Sequence, residues 1–256
     1  MQQQKHMLTN IQRLLNAGHD MKQIFLKFCY FLVPLVLLSC GNDAKTKEPL
    51  KTETPVATAD PSEETSSKST ILCFGDSITA GYGLDDSNDA YPGVLQSKID
   101  SLGLDYVVVN SGLSGETTAG GKSRIPWVLN QEIDVFILEL GGNDGLRGVP
   151  LSETRSNLQG IIDAVRIKNP NIPIILAGME LPPNMGQAYT NEFRTIFADL
   201  SEENNIAFIP FILKDVGGIS ELNQSDGIHP TVAGHKIVAN TVWEVLEDLI
   251  TRTKHP

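Results

Sequence analysis

The chain has 256 residues, 41% of them hydrophobic, with 20 basic against 31 acidic side chains and a formal net charge of −11. That length holds one large domain or two small ones. So acidic a balance argues against nucleic acid or anionic lipid headgroups as the main partner.

The chain does not open like a globular domain. Residues Met21 to Lys27 carry two lysines, Phe28 to Leu38 carry no charge, and Ser39-Cys40 follow. A basic start, a short apolar stretch and a small residue before the processing point describe a secretory signal. The uncharged core falls well short of the ~20 residues a membrane-spanning helix needs, so a retained transmembrane anchor is the weaker reading. Leu37-Leu38-Ser39-Cys40 before Gly41 resembles the lipobox of bacterial lipoprotein precursors. That resemblance implies a lipidated Cys40 as first residue of the mature protein; the plain alternative is an ordinary signal that contains a cysteine. Residues 1–39 are therefore expected to be a signal peptide, with translation starting at Met21 rather than from a long n-region. The expected address is an exported lipoprotein, membrane-anchored on the periplasmic or cell-surface side.

From Gly41 to Ser69 Lys, Thr, Glu, Pro, Ser and Ala dominate, with few large apolar side chains. Such a stretch cannot bury enough surface to offset its ordering entropy, so residues 40–69 are expected to be a lipidated cysteine and a flexible tether. Removing residues 1–39 takes away four basic residues (Lys5, Arg13, Lys22, Lys27) and one acidic one (Asp20), leaving the remainder more acidic still. It also leaves only Cys40 and Cys73. With Cys40 lipidated no intrachain disulfide can form, and Cys73 is expected to be a small buried hydrophobe.

Residues 70–256 alternate strand-like and helix-like runs. Strands are expected at Thr70–Phe74, Tyr106–Val109, Val135–Leu140, Ile172–Leu176 and Ile206–Phe211, each short, β-branched and mostly apolar. Leu158, Ile161, Ile162 and Val165 follow helical spacing. So do Tyr189, Phe193, Ile196, Phe197 and Leu200, and later Val238, Val242, Val245, Leu246 and Leu249. Alternation of this kind predicts a three-layer α/β/α domain with a five-stranded parallel sheet. The apolar stripes are core.

The chemistry sits after the strands, where open α/β sheets place their ligands. Gly75-Asp76-Ser77 follows the first strand and presents Ser77 at a tight turn. Asn110-Ser111-Gly112-Leu113-Ser114-Gly115 follows the second, and Gly141-Gly142-Asn143-Asp144-Gly145-Leu146-Arg147-Gly148 the third. Asp226-Gly227-Ile228-His229-Pro230 comes after the fifth. A serine nucleophile needs a base, and a carboxylate three residues before a histidine can hold the imidazole so that Nε2 faces the serine. Pro230 suits the first turn of the following helix. Read alone, Asp-x-x-His is more often a surface turn. His235, on that helix, is expected to be solvated, and His255 sits at the terminus. Oxyanion donors are expected from the Ser77 and Gly115 amides, where glycine allows close approach, and from the Asn143 side chain.

These blocks together resemble the GDSL, or SGNH, hydrolases, in order and spacing from Thr70 to about Leu249. The run Leu140 to Gly148 is similar to the bacterial multifunctional thioesterase I/lysophospholipase L1 and arylesterase branch. The resemblance implies Ser77 as nucleophile, His229 as base, Asp226 as its orienting carboxylate, and Ser77, Gly115 and Asn143 as oxyanion donors. It implies a flavodoxin-like sheet in 2-1-3-4-5 order and a movable substrate loop around Gly145, Leu146 and Arg147. Neither cofactor nor metal is called for.

Two rival motifs fail on spacing. Gly112-Leu-Ser114-Gly brings its second glycine one residue early for a nucleophile elbow. The run ending in Lys122-Ser123 has Glu116 where a phosphate loop needs glycine. The expectation is a serine esterase acting on an aryl or short-chain ester, a lysophospholipid or an acyl thioester. Its alternative is a non-catalytic or acyl-transferring cell-surface domain of the same fold (an O-acetyltransferase or carbohydrate deacetylase).

Overall fold

A computed structural model describes residues 68–252. The expected signal segment 1–39, Cys40, the tether up to residue 67 and His255 lie outside the described residues. Among the described residues, no helix is long and apolar enough to cross a membrane.

Five parallel strands form one sheet. They are β1 (Ser69–Gly75), β2 (Tyr106–Gly112), β3 (Val135–Glu139), β4 (Ile174–Ala177) and β5 (Ala207–Ile209), in the order β2-β1-β3-β4-β5. This is the order the resemblance implies. The described helices are α1 (Ser77–Ala80), α2 (Tyr91–Ser101), α3 (Thr118–Val128), α4 (Gly142–Arg147), α5 (Leu151–Lys168), α6 (Gln187–Asn204) and α7 (Val232–Arg252). α2 packs on α7, while α3, α5 and α6 pack in succession. The strand order turns back after β2, and right-handed crossovers then put these two groups on opposite faces.

Cover on both faces explains the strand sequences. From Ile71 onward β1 is buried at every residue, as are β3 and β4 throughout, and apart from Glu139 at the end of β3 their side chains run apolar without alternation. β2 lies at an edge and is buried only at Tyr106. β5 is shorter than Ile206–Phe211 because Pro210 has no N–H for the ladder. β4 starts only after Pro173, and β2 runs on to Gly112. The outer side of β2 is closed locally by one side chain of α2. Gln96 accepts from the Val108 amide at 2.6 Å and donates to the Tyr106 carbonyl at 3.3 Å.

The helical stripes bury as their spacing predicts: Leu158, Ile161, Ile162 and Val165 on α5, and Phe193, Ile196, Phe197 and Leu200 on α6. Phe193 and Phe197 meet edge to face at 5.3 Å. Cys73 is fully buried, and burial pushes its thiol up to about 12, so it behaves as a small hydrophobe.

Two expectations about the last helix need correction. Pro230 precedes the helix instead of starting it; Thr231 caps α7, its hydroxyl accepting from the Gly234 amide at 3.3 Å. His235 is not solvated. It is buried at 1% exposure, its Nδ1 accepts from the Tyr91 amide at 3.2 Å, and its Nε2 has no partner among the described residues. The reason is helical geometry: once α7 begins at Val232, His235 shares a stripe with Val238, Ala239 and Val242.

Burial favours the neutral ring and the nearby His229 adds to this, which lowers the His235 pKa from 6.5 to about 4. The unfolded chain then takes up this proton before the folded one does. Stability should therefore fall as pH drops through that window. In His235→Gln, the decline in urea-unfolding free energy between those two pH values should be shallower than in the parent. Equal slopes would contradict the burial argument.

Candidate active site

The turn that carries Ser77 is built where β1 stops. Gly75 pairs in register with Gly112 on one side and Glu139 on the other. A Cβ at Gly75 would stand 2.1 Å from Thr79 Oγ1 and 2.6 Å from the Glu139 carbonyl oxygen, so only glycine fits. Asp76 then caps α1, its Oδ1 accepting from the Ile78 amide at 3.1 Å. Ser77 follows as the first helical residue, nearly buried, and Gly81 ends the turn with φ of 76°.

The loop from Asn223 to Thr231 brings the histidine in. The Gln224 amide donates to the His229 carbonyl at 2.7 Å, and its side chain donates to the carbonyls of Tyr82 and Pro230. Gln224 thus ties this loop to the segment after α1. His229 Nε2 lies 2.9 Å from Ser77 Oγ, and Nδ1 lies 2.6 Å from Asp226 Oδ2. Asp226 Oδ1 accepts the amides of Ile228 and His229 at 3.0 and 3.1 Å. Burial raises the Asp226 pKa, but the His229 ring and these two amides outweigh it and hold the carboxyl at about 2. The Tyr82 ring lies 4.6 Å from the imidazole, centroid to centroid, and walls one side of it.

The three expected oxyanion donors border one cavity with Ser77 and His229. The Ser77 and Gly115 amides meet no protein acceptor among the described residues. Gly115 takes φ of 80°, a left-handed conformation that glycine adopts without strain. Asn143, inside α4, donates one amide hydrogen to Asp76 Oδ2 at 2.9 Å, which leaves the other free to point into the cavity. Arg147 donates to Asn143 Oδ1 at 3.1 Å, fixing which end of that amide is which. Asp144 turns away from the cavity and receives the Thr118 amide and hydroxyl at 2.8 and 2.5 Å, docking α4 on α3.

Of the three expected substrate-loop residues, Leu146 lines the cavity and Arg147 reaches it through Asn143. Gly145 does not line it. Its Cα is crowded by Leu181 and Phe193, and its carbonyl accepts the Tyr189 hydroxyl at 3.2 Å. The cavity has a volume of about 700 Å³ and is walled mainly by apolar side chains, including Ile78, Met179, Leu181, Phe211 and Leu213. Most of these come from the loops after β4 and β5, which carry no chemical motif. Among the described residues no cluster of His, Cys, Asp and Glu could hold a metal ion.

A model of the GDSL-like lipase/acylhydrolase family matches residues 73–237. The chain is 38% identical to the esterase TesA of Pseudomonas aeruginosa over 182 residues, covering 71% of this chain and 89% of that protein. It is 34% identical to thioesterase 1/protease 1/lysophospholipase L1 of Escherichia coli, covering 71% and 85%. A crystal structure of TesA superposes with a TM-score of 0.67 over 70% of this chain and 99% of that one.

Because a Cβ at Gly75 would meet backbone as well as side chain, Gly75→Ala should cost about 1–3 kcal/mol through overpacking. The same displacement should move Ser77. A denaturant midpoint equal to the parent's would refute the close approach.

Proposed function

The chain belongs to the GDSL-like lipase/acylhydrolase family, and on that premise we propose that it hydrolyses carboxylic esters or thioesters through an acyl-enzyme on Ser77. The observation that carries this reading is the continuous line from Ser77 Oγ to His229 Nε2, at 2.9 Å, and from Nδ1 to Asp226, at 2.6 Å.

His229 takes the Ser77 proton as Oγ bonds to the carbonyl carbon, and the carbonyl electron pair moves onto oxygen. The amides of Ser77 and Gly115 and the Asn143 side chain meet that oxyanion. As the carbonyl re-forms, the leaving oxygen or sulfur departs with the proton from His229. Water then repeats the attack on the acyl-enzyme, giving its proton to His229, which returns it to Ser77 as the acid leaves. Asp226, with its pKa near 2, stays ionised at neutral pH and favours the imidazolium at both stages. These groups account for every proton and electron pair.

The apolar cavity suits an acyl chain, with Leu146 in its wall and Arg147 bonded to Asn143, which lines it. Aryl or short-chain esters, lysophospholipids and acyl thioesters fit this description. We assign the protein to the periplasmic or cell-surface side of a membrane, tethered by lipid on Cys40, on the strength of the lipobox-like run and the polar tether after it.

Ser77→Ala should abolish release of p-nitrophenol from p-nitrophenyl butyrate, and Asn143→Ala should lower kcat roughly 10²–10³-fold. Parental rates in Ser77→Ala would end the reading. If butyrate is recovered as the ester of an added alcohol and never as free acid, the enzyme is a transferase instead. In the native host, Cys40→Ser should leave the chain unprocessed and unable to incorporate labelled palmitate. Incorporation that persists would refute the anchor.

A further inference from the structure

One buried carboxyl beneath the nucleophile turn takes no part in the proton transfers above. Glu139 ends β3, pairs with Gly75 across the sheet, and is fully buried. Its Oε2 accepts from the Asp76 amide at 3.2 Å and from the Thr79 hydroxyl at 2.8 Å. Those two groups bracket Ser77 in sequence. Its Oε1 has no partner among the described residues. Thr79 spends its one hydrogen on Glu139, so the Tyr91 hydroxyl, 3.1 Å away, donates to Thr79 in turn.

Asp76 is forked. Oδ1 caps the turn that carries Ser77, and Oδ2 holds the Asn143 amide. A shift of the Asp76 backbone would therefore move the nucleophile and the side-chain oxyanion donor together. We propose that Glu139 is a positioning residue: by holding the Asp76 amide and the Thr79 hydroxyl, it sets Ser77 and Asn143 relative to each other.

It does so as a neutral acid. Two carboxyls buried this close cannot both be charged at low cost. Burial, and then the Asp76 charge, push Glu139 well above the carboxylate range. Burial also raises Asp76, but the Ile78 amide, the Asn143 side chain and His229 all oppose that rise. The proton belongs on Glu139 and the charge on Asp76. Tyr91, the remaining titratable group against Glu139, is itself raised well above its ordinary value, by burial first, and stays neutral.

The inference rests on the assignment of Ser77 and Asn143 above, and a double-mutant cycle on the full chain with p-nitrophenyl butyrate tests it. Glu139→Ala should lower kcat by roughly 10- to 100-fold, the scale of misplaced reacting groups, with KM nearly unchanged. In an Asn143→Ala background the same change should cost several-fold less, because one of the two groups it positions is gone. Losses that simply multiply would make Glu139 an ordinary core residue and overturn the proposal. Glu139→Gln keeps a neutral acceptor, so it should recover most of the lost kcat and leave the kcat/KM–pH profile in place. A Gln variant as slow as the Ala variant would overturn the neutral-acid role. If Glu139→Ala does not fold, Thr79→Val removes the second group Glu139 holds and carries the same cycle: a smaller loss in the Asn143→Ala background supports the proposal, and multiplying losses overturn it. Activity in Ser77→Ala would strike the functional assignment instead; additivity in the cycle strikes this inference alone.

Discussion

The site depends on how closely two parallel strands can end beside each other. β1 stops at Gly75 directly across from Glu139, the last residue of β3, and no side chain separates them. That contact puts the carboxyl of Glu139 under the amide of Asp76 and leaves the next residue, Ser77, at the start of a four-residue helix. Had β1 ended in any larger residue, the turn would have to lift away from β3. Asp76 could then not reach Asn143 across the gap between the loops. The rest of the domain, from the aromatic core to the helices on both faces, holds these two strand ends still.

Three carboxyls around Ser77 are set to three different tasks by their surroundings. Asp226 is partly exposed and accepts from one imidazole and two backbone amides, so it is anionic and faces the His229 ring. Glu139 is sealed from water and shares its cage with another acid, so it is neutral and serves as an acceptor only through Oε2. Asp76 is buried too, but the Ile78 amide and the Asn143 side chain both donate to it, so it carries the charge. It is environment, not residue type, that divides the labour.

What is legible in the sequence is what is local in the chain. Gly-Asp-Ser makes a turn by itself, and Asp226 and His229 lie three residues apart, so one loop orients the pair. Asn143 follows two glycines at a strand end. The stripes on α5 and α6 need only a period of 3.6. Glu139 is hidden because its partner is 63 residues away in sequence and it sits in an apolar strand that reads as core. Tyr82 and the cavity walls are hidden for a related reason: nothing in those loops marks a side chain that matters only when another loop arrives. His235 is a different case. Its place on the Val238–Val242 stripe is visible in the spacing, but the polarity of an imidazole points the other way, and packing wins.

Gln96 has an effect beyond the molecule that carries it. An open edge of β-structure invites a stranger's backbone to add itself on, and from there proteins grow into aggregates. Here a single amide side chain occupies the hydrogen-bonding positions at Val108 and Tyr106 that an incoming chain would need. At the opposite margin a proline cuts the last strand to three residues, too short to template anything. A sheet guarded at both flanks can be crowded against copies of itself without fibre growth from its rims.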